Sequence, residues 1–356
     1  MKKILLILVG GTICTALNEK GTLTISDKAS ALLVENFKNS NSQFADTHFE
    51  ITENLGVLSE NMTVEKWNVI IDTYKRKIKL KNFDGVIFAH GTDTLAYSTS
   101  LFAQLLWNTK IPVFFVSSNK RISLENANGN DNFRWAVECI CKGITPNVYA
   151  AYKNISDQRM YLHLGSRLLQ CPNYSEDFHS VGEIDITNID SIDFSKLNEQ
   201  ILALKGDVKG TNFDIEKISH LENCVLTLQP YVGVNYSAYN YKKFKAVLHG
   251  TYHSGTACAE KEEKKPDYGE NSILYMIDTC KNAGVDSYFA PSVPTGEIYD
   301  TVRIIAEHLD GEIKFLYGTT FETAYAKLVI AYSLFDEKEK IHEFVTKENN
   351  CEFFNF

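Results

Sequence analysis

Residues 83–94 read Phe-Asp-Gly-Val-Ile-Phe-Ala-His-Gly-Thr-Asp-Thr and are followed by Leu95 to Leu106. Val86 to Ala89 is a short, wholly apolar run of the kind parallel strands show when both faces of the sheet are covered. Beyond the polar pentad His90 to Thr94, Leu95, Leu101, Phe102, Leu105 and Leu106 recur with the spacing of one helical face. The pattern predicts a central strand, a tight polar turn and a helix. Such a turn lies at the carboxyl end of its strand, where open α/β sheets bind ligands and where unpaired helix amides favour an anion.

One helix cap needs one Ser, Thr, Asp or Asn, and a glycine suits any turn. His90, Thr92, Asp93 and Thr94 offer four side chains able to exchange protons or hydrogen bonds within five positions, which points to a site rather than to capping alone. A second stretch has the same grammar: Ile4 to Val9 is apolar and is followed by Gly10, Gly11, Thr12 and Ile13. Alone, a glycine pair after a strand is ordinary loop punctuation. Together, Gly-Gly-Thr-Ile near the N-terminus and His-Gly-Thr-Asp-Thr further on resemble the bacterial-type L-asparaginase family.

At 356 residues the chain is long for one domain. We expect an α/β protein with a larger N-terminal parallel-sheet domain (1–200) carrying the site, a polar linker (201–222) and a smaller C-terminal α/β domain (223–356). With 44% hydrophobic and 23% charged residues the composition is that of a globular protein. A net charge of −9 argues against a nucleic-acid backbone as the main partner. Met1-Lys2-Lys3 and the apolar residues after it imitate a signal peptide, but the run ends at Val9 against two glycines with no small-residue cleavage site, so we read a strand. No segment approaches the length of a membrane span. Eight scattered cysteines, with no Cys-x-x-Cys, fit reduced thiols in a cytoplasmic protein, and neither a metal nor another cofactor is indicated. No dinucleotide or phosphate-loop fingerprint follows a strand.

Apolar runs at 111–116 and 148–152, and helical periods at 29–37, 64–78 and 133–140, continue the alternation of strand and helix through this half. Cys14 to Ser26 reads as a mobile loop over the site, and 160–170 as a hairpin arm. Further strands are expected at 224–228, 246–248 and 287–290. Ser59-Glu60-Asn61-Met62-Thr63 has two readings, a helix cap supplied by Asn61 or Thr63 and a substrate-holding turn, the second resting on the resemblance. The resemblance covers most of the chain. It is carried also by Gly165, Ser166 and Arg167, by the turn 251–256, and by Ser292-Val293-Pro294-Thr295-Gly296. His253 in the first of those turns reads as a loop histidine with a structural hydrogen bond.

The resemblance implies hydrolysis of a side-chain amide with no cofactor. Thr12 would attack the amide carbon, Thr92 with Asp93 would handle the proton, and Ser59, Glu60, Gly91 and Ser118 would hold the substrate. A threonine hydroxyl is a poor nucleophile at neutral pH, so neighbours must activate it. Two positions depart from the family: Gln170 stands where it has a catalytic lysine, and Thr22 where it has a loop tyrosine. If these losses hold, Asp93, His90, Lys120 or His163 is left to act as base, or turnover is slow. Glu60, in place of a neutral side chain, would repel a substrate carboxylate and attract an ammonium. The partners implied are a small amino-acid amide and further copies of the chain in a homodimer or homotetramer, with neither nucleic acid nor membrane. Two other classes stand beside the hydrolase: a non-catalytic amino-acid binder on the same scaffold, and the related subunit that supplies ammonia for amidating glutamate on transfer RNA. The last is disfavoured by the acidic charge and by the absence of a leading domain before the first strand.

Overall fold

Strand β1 (Lys3–Leu8) buries five of its six residues completely or nearly so, because Ile4 to Leu8 present apolar side chains to both faces of a sheet. The computed structural model describes the chain except for residues 41, 206–213, 261–267, 293–298, 309–310, 312 and 355–356, and only the backbone at 23, 27 and 30. Two units result, one of Met1–Ser219 with Asn349–Cys351, the other of His220–Glu348 with Glu352–Phe356.

In the first unit β1 is followed by a hairpin, β2 (Thr15–Leu17) and β3 (Leu23–Ile25), by helix α1 (Asp27–Lys38) and by β4 (His48–Ile51). Then come α2 (Val64–Ile78), β5 (Gly85–Ala89), α3 (Leu95–Leu105), β6 (Val113–Val116), α4 (Gly129–Cys141) and β7 (Val148–Lys153). Strands β8 (Met160–Leu164) and β9 (Ile184–Asp185) and helix α5 (Phe194–Lys205) complete it. The sheet order is β4-β1-β5-β6-β7-β8-β9, parallel from β4 to β7 and antiparallel at β8 and β9. From β1 the chain passes first to β4 on one side and then to β5 on the other. The winding therefore reverses between β1 and β5, and at such a reversal the carboxyl ends of the strands open a crevice.

Alternation along β5 divides the core. Phe88 meets Phe102 of α3, Phe115 of β6 and Tyr74 of α2 at ring separations of 4.8, 4.6 and 6.1 Å, and each such pair contributes roughly 0.5–1.5 kcal/mol beyond its buried area. Ile87 and Ala89 face the opposite layer, where Phe133 of α4 and Phe37 of α1 lie in one cluster. The sheet is thus covered on both sides, as the apolar runs predict.

Two expectations are corrected. Part of the stretch read as a linker is helix: α5 continues to Lys205 and buries Leu197 and Ile201 in the first unit's core, with a 3-10 turn at Ile215–Lys217 beyond. The polar composition there reflects one exposed helical face. The stretch read as a loop at 14–26 is the β2–β3 hairpin, paired from Thr15 with Ile25 to Leu17 with Leu23.

The second unit has four parallel strands in the order β10 (Val225–Leu228), β11 (Ala246–His249), β12 (Asp286–Ser292) and β13 (Ile313–Tyr317). Helices α6 (Ile273–Ala283), α7 (Asp300–Glu307), α8 (Phe321–Leu334) and α9 (Lys338–Thr346) accompany them. The motif at 292–296 lies, after Ser292, outside the described residues. No described helix is long and apolar enough to cross a membrane.

Candidate active site

Three glycines draw the first site segments together. Leu8 of β1 stands in register with Ala89 of β5, so Gly10-Gly11-Thr12 and His90-Gly91-Thr92 leave the sheet side by side. Gly10 and Gly11 have φ values of 140° and 75°, in the left-handed range that other residues avoid. A Cβ on Gly10 would fall 2.1 Å from the Val57 carbonyl oxygen, one on Gly11 2.2 Å from the Gly91 Cα, and one on Gly91 2.4 Å from the Ser59 Oγ. At each point the glycine backbone lies directly against another segment. Thr12, Thr92 and Ser59, each next to or in contact with one of these glycines, are thereby gathered at the carboxyl ends of β1 and β5.

Ser59 ties the group together. Its hydroxyl donates to the Asp93 carboxylate at 2.9 Å and accepts from the Asp93 amide at 3.2 Å, while the Thr94 hydroxyl donates to the Ser59 carbonyl at 2.9 Å. Thr94 occupies the position before α3 yet makes no side-chain capping bond there. The bland reading of the pentad as a cap is therefore not what its side chains do. Thr63 is the cap of α2, accepting from the Lys66 amide at 3.3 Å. In the Ser59–Thr63 turn the cap thus falls on Thr63, while Ser59 is bonded to Asp93. Thr12 and Thr92 are half-buried, and Asp93 and Glu60 are exposed.

His90 has a structural part. It is fully buried, its Nδ1–H donates to the Gly91 carbonyl at 2.7 Å, and its Nε2 has no partner among the described residues. Burial holds its pKa down at about 4, so the ring is neutral and shut away from solvent. His163 is likewise buried, with Nδ1 2.9 Å from the Ser180 hydroxyl and a pKa lowered by burial to about 3. Neither histidine opens on the crevice.

Gln170 reaches the pentad from the turn after β8. Its amide nitrogen donates to the backbone carbonyl of Asp93 at 2.6 Å. A cavity of about 330 Å³ opens beside this bond, lined by Thr92 and Asp93, by Asn119, Tyr152 and Gln170, and by the loop Cys171 to Glu176. Asn119 is braced by reciprocal bonds with Asn128 at 2.9 and 3.1 Å, and its side-chain amide donates to the Glu176 carboxylate at 2.9 Å. The Cys171 thiol, pushed up from its ordinary pKa by burial, donates to the carbonyls of Ser175 and Asp177 at 3.3 and 3.2 Å and so holds that loop closed on itself.

Of the expected residues Thr92, Asp93 and Gln170 line this cavity, whereas Thr12, Ser59, Glu60 and Gly91 are not in its lining, and Ser118 and Thr22 stand apart from the group. Ser118 is fully buried; its hydroxyl accepts from the Gly129 amide at 3.1 Å and donates to the Lys120 carbonyl, so it fixes the start of α4 instead of lining the cavity. Thr22 lies exposed in the β2–β3 turn, its hydroxyl accepting from Asn18 at 2.7 Å. Asn119, Glu176 and Tyr174 are not legible in the sequence. A Pro-Asn loop carries no periodic signal, and only the Asn119–Glu176 bond shows that it forms a wall. Among the described residues no cluster of His, Cys, Asp and Glu could hold a metal ion.

A family model described as "Asparaginase, N-terminal" matches residues 3–202. Solved structures similar along almost the whole chain include the thermostable L-asparaginase from Thermococcus kodakarensis, with 20% identity and a TM-score of 0.71 over 99% of this chain and 100% of that one. L-asparaginase I from Vibrio cholerae matches with 19% identity and a TM-score of 0.71 over 99% of each chain. At these identities the likeness concerns the fold. Among curated relatives, a glutamyl-tRNA(Gln) amidotransferase subunit from Methanococcus maripaludis is 24% identical over 51% of this chain and 43% of its own length. The corresponding subunit from Archaeoglobus fulgidus is 24% identical over 82% of this chain and 67% of its own. The chain spans about half the length of the first of these relatives. With the family model matched over more than half of its residues and the paired Gly-Gly-Thr and His-Gly-Thr-Asp-Thr strand ends in contact, the chain belongs to the asparaginase family.

Proposed function

We propose that the protein is an amidohydrolase that converts the side-chain amide of asparagine, or of a related small amide, to the acid and ammonia through a threonine nucleophile. We rest this reading on the close approach of Gly11 to Gly91, which brings together the segments that carry Thr12 and Thr92 where the winding of the sheet reverses. The Thr12 hydroxyl adds to the amide carbon and ammonia departs with the proton that hydroxyl gave up. Water then cleaves the resulting ester, releasing the acid and restoring Thr12. Thr92 and Asp93 form the proton-handling pair, with the carboxylate oriented by Ser59. Glu60 and Asp93 favour the ammonium end of an amino-acid amide.

The test is ammonia release from asparagine and glutamine by the wild-type protein and by Thr12→Ala. Glutamine belongs in the panel because curated relatives are named as amidotransferase subunits. Release that persists at wild-type rate in Thr12→Ala would exclude the threonine mechanism. A second reading, a binder with little or no turnover, is favoured by Gln170: its amide donates to Asp93 where a base would be useful, and an amide does not accept a proton at neutral pH. Calorimetric binding of asparagine without ammonia release would select it. We further infer a homodimer or homotetramer, checked by light scattering at micromolar concentration.

A further inference from the structure

Residues 75–81 read Lys-Arg-Lys-Ile-Lys-Leu-Lys, five cations in seven positions of a chain whose net charge is −9. Lys75, Arg76 and Lys77 stand in the last turn of α2, where positive charge offsets the helix dipole. One or two cations meet that need, and Lys79 and Lys81 lie beyond the helix. The fold adds two more from the start of β1. Lys3, Lys77 and Lys81 hold their ammonium groups 3.6, 3.8 and 2.8 Å from a single carboxylate, that of Glu50 on β4, while Lys2 is bonded to Asp84 at 3.0 Å and Lys79 to Glu216. Arg76 is exposed and makes no ion pair among the described residues. These cations meet at the amino ends of β1 and β5, the end of the sheet opposite Thr12 and Thr92.

Three carboxylates answer seven cations there, and counting Asp72 of α2 still leaves positive charge in excess. Three ammonium groups on one carboxylate also repel one another, and a further anion relieves that repulsion. The rest of the chain decides which anion fits. It is strongly acidic, so an extended polyanion or a charged lipid surface, running past the patch, meets a body that repels it. Lysine outnumbers arginine six to one in the patch, whereas planar, bidentate recognition of phosphate favours arginine. Leu80, between Lys79 and Lys81, is 68% exposed and offers an apolar contact that a phosphate backbone does not use. We infer that this face docks a short acidic segment of a partner protein, whose carboxylates take the cations around Glu50 and Arg76 and whose apolar side chain lies on Leu80. The inference is independent of the reaction at Thr12.

The experiment uses the full chain and the fluorescence anisotropy of a labelled heptapeptide of Glu and Asp around a central leucine. Binding is expected at low ionic strength and should fall with added salt, because exposed charges are screened. The triple variant Arg76→Gln, Lys79→Gln, Lys81→Gln should bind roughly tenfold more weakly, since three exposed charge contacts are lost, while its Tm and its ammonia release match those of the wild type. Arg76→Gln alone, which breaks no ion pair, should weaken binding about twofold and serves as the test if the triple variant is unstable. A peptide with serine in place of leucine should bind about threefold more weakly to the wild type, and the two peptides should bind equally to Leu80→Ser. Absence of peptide binding, or binding that both cation variants leave unchanged, overturns the inference. Tighter binding of oligouridylate or of phosphatidylserine vesicles at equal charge overturns it in favour of a nucleic acid or a lipid surface, and a change in the mass of the triple variant by light scattering overturns it in favour of a second copy of this chain.

Discussion

Gly91→Ala tests the geometry that gathers the site. A methyl group there would lie 2.4 Å from the Ser59 Oγ, 2.6 Å from the Ser59 Cβ and 3.1 Å from the Gly11 Cα. Two of these contacts are closer than atoms tolerate, and both belong to Ser59, which is buried and cannot swing into solvent. Overfilling of this kind costs about 1–3 kcal/mol. If Ser59 moves, its charge-assisted, part-buried bond to the exposed Asp93 goes as well, worth about 1.5 kcal/mol, the low end for a bond to a charged group. The two terms overlap, because relaxation of the first breaks the second, so we expect a loss of about 2–4 kcal/mol. For a unit of this size that is a fall in Tm of roughly 5–15 °C, with ammonia release reduced at least about a hundredfold as Asp93 loses its orientation. Thermal denaturation of Gly91→Ala, of Ser59→Gly and of the double variant decides the matter. Removing the Ser59 Cβ and Oγ removes both offending atoms, so the double variant should regain about half of the lost stability while activity stays low. Ser59→Ala should rescue less, since its Cβ remains. Equal stability of Gly91→Ala and wild type, or a double variant no more stable than Gly91→Ala, would refute the interlocking of these strand ends.

Thr12→Ala should reduce ammonia release to background while asparagine affinity changes by less than about threefold, because a nucleophile contributes little to ground-state binding; affinity lost in proportion to rate would assign Thr12 to substrate holding instead. Gln170→Lys should place an amine at the Asp93 carbonyl now bonded by the glutamine, and since general bases contribute about 10²–10⁴-fold, asparagine hydrolysis should rise at least tenfold; an unchanged rate in a folded variant would show that the base lies elsewhere. Acid should destabilise the fold through its buried histidines: His90 and His249 have pKa values lowered to about 4 and His163 to about 3. The unfolded chain therefore binds more protons below the ordinary histidine pKa near 6.5, so stability is complete above that value and declines by about 1.4 kcal/mol per histidine per pH unit as pH falls toward 4. A Tm that is level between pH 7 and pH 4.5 would contradict the burial of these rings.

Why the first half of the fold is legible in the sequence and the site only partly so follows from the range of the interactions involved. β1 and β5 are wholly apolar for a local reason, two covered faces, and residues 4–8 or 86–89 declare it by themselves. β4, with the sequence HFEI and no buried residue, and β13, with IKFLY, offer no such run, and the sequence reading places a strand at neither. Within the site, Thr12 and Thr92 are marked by position, each a hydroxyl just beyond an apolar strand. Ser59 is joined to Asp93 across 34 positions, and nothing near Ser59 in the chain distinguishes a hydroxyl that orients a carboxylate from Ser118, whose hydroxyl turns inward to the first amide of α4. His90 shows the same limit: four polar residues in five positions announce a site, but which of them faces the crevice depends on Phe115 and the β6 strand packed against the ring. The glycines carry the information that crosses this gap. Gly11 and Gly91 each read singly as turn punctuation, yet neither can bear a methyl group because each lies against backbone or a buried side chain of another segment. A paired constraint of that kind is the one local trace that a long-range contact leaves in the sequence, which is why two short motifs, uninformative apart, together locate the carboxyl ends of β1 and β5.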